Sequence, residues 1–222
     1  MSKSIIDHLP FSLHYSPYLH DVGLFRNTLL ESISMNSGLA IITYATARAT
    51  NRVEGKDWLW PSGQVINAWW SAVGVRMYNG VSFQMAFASL TWSEKLLLSG
   101  VTVWGLRLFY RIASRSIARG KDDPRYDEAK KEDGFWNKAF FELFIPEAIC
   151  QGIISLPFTL SFRTVRSLNG PEYAPELQNL AVGLFSAGFA LEAMADWQLE
   201  SHRQKNSDLA REGVWSIVRH PK

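Results

Sequence analysis

Apolar and charged stretches alternate along the chain. Five of the apolar ones approach the roughly 20 residues needed to cross about 30 Å of hydrocarbon. They cover positions 28–49, 65–91, 95–112, 139–162 and 177–197. The pattern predicts an all-α fold, a polytopic membrane helix bundle of about five transmembrane helices. A non-cytosolic N-terminal segment, 1–27, then precedes a helix-bundle domain at 28–222. Every stretch carries polar residues. The first holds Glu31, Ser32 and Asn36; the second holds Arg76 and Asn79 and reads either as one tilted helix or as two broken pieces. The fourth holds Glu142 and Glu147, five residues apart, so at least one should point into the bundle. Ionisable groups in a span are costly unless they face protein or a water-filled interior. The plainer alternative is a large soluble helical protein.

Charge placement sets an orientation. Positions 114–138 hold Arg115, Arg119, Lys121, Arg125, Lys130, Lys131 and Lys138, and the tail holds Arg203, Lys205, Arg211, Arg219 and Lys222. Cytosolic loops carry excess Lys and Arg, so both segments are expected in the cytosol. Two expected spans separate them, which is consistent with a shared side. The short link with its Asn169-Gly170-Pro171 turn signal then faces the other compartment, together with the N-terminus. Residues 1–27 have no apolar core of a signal peptide, so a later helix is expected to act as an uncleaved anchor.

Composition narrows the chemistry. A net charge of +2 is too small for a nucleic-acid partner, and nine tryptophans suit a membrane interface. The lone Cys150 excludes an internal disulfide. Five histidines, at positions 8, 14, 20, 202 and 220, form no metal-ligand spacing, and no GxSxG, P-loop or GxGxxG is present. Trp69, Trp70, Phe83 and Phe87 suit either lipid or a flat apolar molecule.

Two ladders stand out. Arg107, Arg111, Arg115 and Arg119 are spaced by four, so they share one stripe of a helix. Guanidinium forks suit phosphate, although snorkelling to lipid headgroups accounts for the stripe equally well. Glu192, Asp196 and Glu200 form an acidic ladder of the same spacing, expected to meet a cationic group or to be solvated.

The tail, Gly213-Val214-Trp215-Ser216-Ile217-Val218-Arg219-His220-Pro221, resembles the motif G-x-W-x-x-x-R-H-P-N-Y-x-G-E of the steroid 5α-reductase C-terminal superfamily, and above all its DUF1295 branch. Further matches are Trp104-Gly105-Leu106-Arg107-Leu108 with Arg111 and Arg115, Asp122-Asp123-Pro124-Arg125-Tyr126, Phe135-Trp136, Phe140-Phe141, Ile154-Ser155-Leu156-Pro157 and Asp196-Trp197-Gln198. The resemblance spans about 96–222. It implies a helix bundle in the endoplasmic reticulum that binds NADPH and delivers hydride to a carbon–carbon double bond of an apolar lipid or sterol-like substrate. It further implies that Arg107, Arg111, Asp196, Trp215, Arg219 and His220 line the cofactor cavity; no catalytic residue follows from it. Two departures accompany these matches. Glu147 stands where the branch is expected to carry Gln, and Lys222 stands at the Asn of the motif, where the chain ends. The resemblance thus implies a truncated member, weakly active or inactive. Two other classes compete: S-adenosylmethionine-dependent membrane methyltransferases of the isoprenylcysteine carboxyl type, which share the R-H-P-x-Y-x-G ending, and a non-enzymatic membrane protein that keeps the helices.

Overall fold

A computed structural model describes residues 17–163, 175–205 and 210–217. Among them the chain is all-helical, with no strand. It divides into two compact units, Met1–Val165 and Arg166–Lys222.

In the first unit, α1 (Pro17–Thr50) runs 34 residues, about 50 Å at 1.5 Å per residue. It stops at Asn51, whose φ of 55° is left-handed. Asparagine is among the few side chains that tolerate this conformation at a helix end. The next helix, α2 (Gly55–Trp69), passes through a π-turn at Trp70–Gly74 into α3 (Val75–Tyr78). The chain then turns and re-enters helix as α4 (Phe83–Ala88), capped by the Ser82 side chain. The stretch expected at 65–91 is therefore two broken pieces.

A capping box at Thr91 and Glu94 starts α5 (Trp92–Arg119). Gly120 ends it at φ 67°, a conformation that costs glycine no Cβ clash. Two single 3-10 turns, Pro124–Tyr126 and Ala129–Lys131, lead to α6 (Phe135–Ala139), a π-turn at Phe140–Phe144, α7 (Ile145–Ile154) and α8 (Leu156–Arg163). Prolines mark both irregularities. Pro146 opens α7, and Pro157 has no N–H to continue the ladder into α8. The chain bends by 52° there.

The first unit packs α2 against α1 and α5, and α1 against α7 and α8. Its core is rich in alanine, with Ala40, Ala47, Ala68, Ala72, Ala139 and Ala148 all buried. Small residues bring helix backbones close. A Cβ at Gly152 would lie 2.9 Å from the Ile33 backbone, and one at Gly105 would lie 3.1 Å from the Pro61 carbonyl oxygen. These two glycines therefore set the α1–α7 and α2–α5 approaches.

The second unit consists of α9 (Pro175–Lys205) and α10 (Val214–Ile217). The Trp215 indole donates to the Ala195 carbonyl at 3.0 Å, and the Val214 amide donates to Gln198 Oε1 at 2.9 Å.

Among the described residues, two helices are long and apolar enough to cross a membrane, Trp92–Arg119 and Glu176–Arg203. The bent pair Phe135–Ile154 and Leu156–Arg163 makes a third if it is one span. They coincide with the stretches at 95–112, 177–197 and 139–162. The aromatic residues of the broken stretch serve one another. Trp69 stacks on Phe87 at 6.3 Å and donates to Thr102, and the Trp70 indole donates to Glu31.

Candidate functional site

One end of the first unit gathers the C-terminus of α1, the N-terminus of α2, the C-terminus of α5 and the N-terminus of α7. The first turns of α2, the C-terminal part of α5, the link after it and one face of α7 frame a cleft of about 700 Å³, within the usual ligand range of about 300–1,000 Å³. Trp58, Trp60, Ile112 and Ile154 give it apolar walls. Its charged lining is four basic residues, Lys56, Arg115, Arg119 and Arg125, and four acidic ones, Glu54, Asp57, Asp123 and Glu147.

The charges answer one another. Arg119 Nη1 lies 3.0 Å from both Glu54 Oε2 and Asp123 Oδ2. Glu54, almost fully buried, also pairs with Arg52, which donates to the Ser116 carbonyl at 3.0 Å. Arg125 bridges Asp123 at 3.0 Å and Asp57 at 2.7 Å. Lys56 donates to Glu147 at 2.7 Å and sits 5.8 Å from the Tyr126 ring centre. Two-sided pairing of this kind fixes the guanidinium planes and holds the link between α5 and α6 over the α1–α2 turn.

Asp122 is the anchor of that link. Its carboxylate accepts the backbone amides of Val53 at 2.9 Å and Glu54 at 3.0 Å, and it pairs with Lys130. Two successive amides at the start of α2 are thereby satisfied without a local cap. Burial works against the charged form of Asp122, but these hydrogen bonds prevail and its pKa falls below the ordinary carboxylate value. Asp123 is lowered in the same way by Arg125 and Arg119, again against burial. Burial would lower Lys56; the Glu147 hydrogen bond and charge reverse this and raise it. Burial is the main cause that raises the Tyr126 phenol.

The expected site residues are distributed over both units. Arg107 and Arg111 are half-buried on α5, each engaged by a partner. They do not line the cleft, whereas the next rungs of their ladder, Arg115 and Arg119, do. Asp196 is buried on α9, 2% exposed, with Glu192 half-buried and Glu200 exposed. Trp215 lines a smaller hollow of about 270 Å³ within the second unit, beside Gln198, His202 and Gly213. Arg219 and His220 lie outside the described residues. Of the two glutamates in the fourth stretch, Glu147 turns inward to Lys56 and Glu142 is exposed. Among the described residues no group of three or more His, Cys, Asp or Glu is placed to hold a metal.

Sequence reasoning missed Glu54, Lys56 and Asp57. Their signal was present as Arg52-Val53-Glu54-Gly55-Lys56-Asp57, alternating charges between two apolar stretches.

Among the described residues the chain is all-helical, with two helices long and apolar enough to cross a membrane, which suggest an integral membrane protein, and a charge-balanced cleft at one end of its larger unit. The chain belongs to the DUF1295 family, whose model, described as a protein of unknown function, matches residues 44–222. No curated protein matches the chain, and no solved structure does.

Proposed function

We propose that this chain is a membrane-embedded reductase of the steroid 5α-reductase-like type, with about five spans, the cleft and the C-terminus facing the cytosol, and the endoplasmic reticulum as its membrane. The substrate class is an apolar lipid or sterol-like molecule with a reducible carbon–carbon double bond. The observation that carries the reading is the arginine ladder of α5, whose last two rungs, Arg115 and Arg119, open on the cleft. NADPH, when bound, would supply the hydride.

The donor set suits such a cofactor in kind. Guanidinium forks match pyrophosphate and a 2′-phosphate, and carboxylates behind them fix their geometry. Trp58 and Trp60 offer flat apolar walls to a ring. The cofactor contacts proposed are Arg107 and Arg111 on α5, Asp196 on α9, Trp215 on α10, and Arg219 and His220 of the R-H-P motif. Arg115 and Arg119 join them because they line the cleft.

One observation favours a second reading, a membrane protein without enzymatic activity. Arg119, Arg125 and Lys56 already face Glu54, Asp123, Asp57 and Glu147. An anion bearing several charges must displace some of these pairs before it gains a contact.

The test is a titration of the purified full chain in lipid nanodiscs, followed by energy transfer from tryptophan to the reduced nicotinamide. NADPH should bind, and Arg115→Ala with Arg119→Ala should weaken it about tenfold or more, as expected for lost charged hydrogen bonds. Binding of S-adenosylmethionine instead would point to the methyltransferase class. Binding of neither would favour the non-enzymatic reading.

A further inference from the structure

Behind the cleft runs a second polar region with a different composition. Thr28, Ser32 and Asn36 descend α1 in steps of four. Gln151, Ser155 and Thr159 do the same along α7 and α8, and Gln64 and Asn67 of α2 and Ser71 of the following π-turn face them. All nine side chains are between 0% and 3% exposed. None carries a charge.

The amide nitrogens have partners, and those partners assign which end of each amide is which. Asn36 Nδ2 donates to the Ser32 carbonyl at 2.9 Å, and Gln64 Nε2 to the Gln151 carbonyl at 3.3 Å. Gln151 Nε2 reaches Glu147 Oε1 at 3.4 Å. The oxygens of Asn36, Gln64 and Gln151, and the hydroxyls of Ser32 and Ser71, have no hydrogen-bond partner among the described residues. Two of these oxygens converge on one point. A Cβ at Gly63 would lie 2.8 Å from Gln151 Oε1 and 3.0 Å from Asn36 Oδ1. Glycine at 63 is what allows both amides to aim there.

Buried acceptors left unsatisfied are strongly disfavoured, and the two that aim at one point, Asn36 Oδ1 and Gln151 Oε1, call for a shared donor. A cation is poorly suited, because none of the nine residues is a carboxylate, and the adjoining Glu147 and Glu31 are committed to Lys56 and Arg163. A substrate hydroxyl is poorly suited too, since none of these amide or hydroxyl residues lines the cleft. Water fits the set. It donates twice, accepts from a serine hydroxyl, and typically makes about three hydrogen bonds when buried.

We propose that Asn36, Gln64 and Gln151 form a binding site for internal water on the Gly63 face of α2. Through the Gln151–Glu147 hydrogen bond, that water is connected to the Lys56–Glu147 pair at the cleft.

Water-edited solid-state NMR of the full chain in nanodiscs tests this directly. Magnetisation should pass from water to the side-chain amides of Asn36 and Gln151, while Phe144 and Ala40, equally buried but apolar, stay silent. No transfer to either amide would overturn the proposal. Apolar substitutions supply a second readout of opposite sign for the two cases. Asn36→Leu and Gln151→Met should each lower the apparent Tm by about 2–4 °C or more if they evict bound water. A rise in Tm would mean that the oxygens were merely unsatisfied, and would overturn the site. Stability should be equal in sodium chloride and choline chloride. A Tm raised by sodium alone would assign the site to a cation and overturn the water reading. Should a variant fail to fold, the NMR measurement on the unmodified chain decides.

Discussion

The two polar regions of the first unit solve one problem in opposite ways. At the cleft, charges of both signs are packed at hydrogen-bond distance, and Lys56, Arg119 and Arg125 find their counterparts within the chain. In the seam there are no charges, and the amide oxygens of Asn36, Gln64 and Gln151 have no hydrogen-bond partner among the described residues. The difference follows from solvent. The cleft is open, so its ions keep part of their hydration and pairing restores the rest. The seam is closed, so only neutral groups are tolerable there.

Removing the most buried charge of the cleft should break this comparison hardest. Glu54 is 4% exposed at its side chain and holds both Arg52 and Arg119. Glu54→Ala should cost about 1.5–3 kcal/mol of stability, the range for hydrogen bonds to charged groups. Chemical denaturation in mixed micelles reads it. A double-mutant cycle with Arg119→Ala should be non-additive; strict additivity would show that the pair is not coupled.

Close behind comes the seam. Gly63→Ala pushes a methyl against two amide oxygens, and overpacking of this kind costs about 1–3 kcal/mol. The same change at Gly80, where a Cβ would meet nothing within 4 Å, separates the collision from backbone strain, because Gly80 has a positive φ of 87° and Gly63 has none.

A pH series sharpens the contrast further. Asp122 has a folded pKa below its ordinary value. Its contribution is therefore present above the unfolded carboxylate pKa of about 3.9 and is lost as pH falls through the lower folded value. Lys56 is raised, so its contribution is present below its unfolded pKa of about 10.4 and is lost as pH rises through the folded value. Stability measured against pH should show the Asp122→Asn difference fading only in acid and the Lys56→Met difference fading only in alkali. Variants of Asn67 or Ser155 should show no such dependence. A pH-independent Asp122→Asn difference that persists at pH 2 would refute the assignment.

Smallest of all is Arg125→Ala. Its side chain is 65% exposed, and exposed ion pairs are worth about 0.2–1 kcal/mol. Its loss should be nearly invisible in 1 M salt.

Much of the helical layout was legible because apolar stretches are local signals. The stretch at 95–112 lies within α5, and the charged loop after Arg119 follows it. The arginine stripe was legible for the same reason, since four-residue spacing alone puts it on one face. What joins distant segments was not legible. Asp122 and Asp123 sat within a recognised string, but nothing local says that Asp122 holds amides at 53 and 54. Ser32 and Asn36 looked like defects in a span. They are the α1 share of the seam, and seeing this requires Gln151 and Gln64 beside them. Glu147 departed from its expected Gln, and Lys56 opposite it supplies the matching charge. The π-turns at Trp70–Gly74 and Phe140–Phe144 left no trace in a periodicity read at 3.6 residues.

The clamp that Asp122 makes also bears on how the loop is cut. The link between α5 and α6 offers trypsin Lys121, Arg125, Lys130 and Lys131 within a short polar stretch, the usual recipe for rapid nicking. Yet Lys130 is only 16% exposed at its side chain, paired to Asp122 and bonded to the Asn51 carbonyl at 2.6 Å, whereas Lys131 is 68% exposed. A protease must wait for the strap to lift before it can seat the backbone around Lys130. Cleavage should begin after Lys131 or Lys121, and its rate should follow the local opening equilibrium. In this loop, susceptibility to digestion is a measure of one carboxylate's grip on two amides.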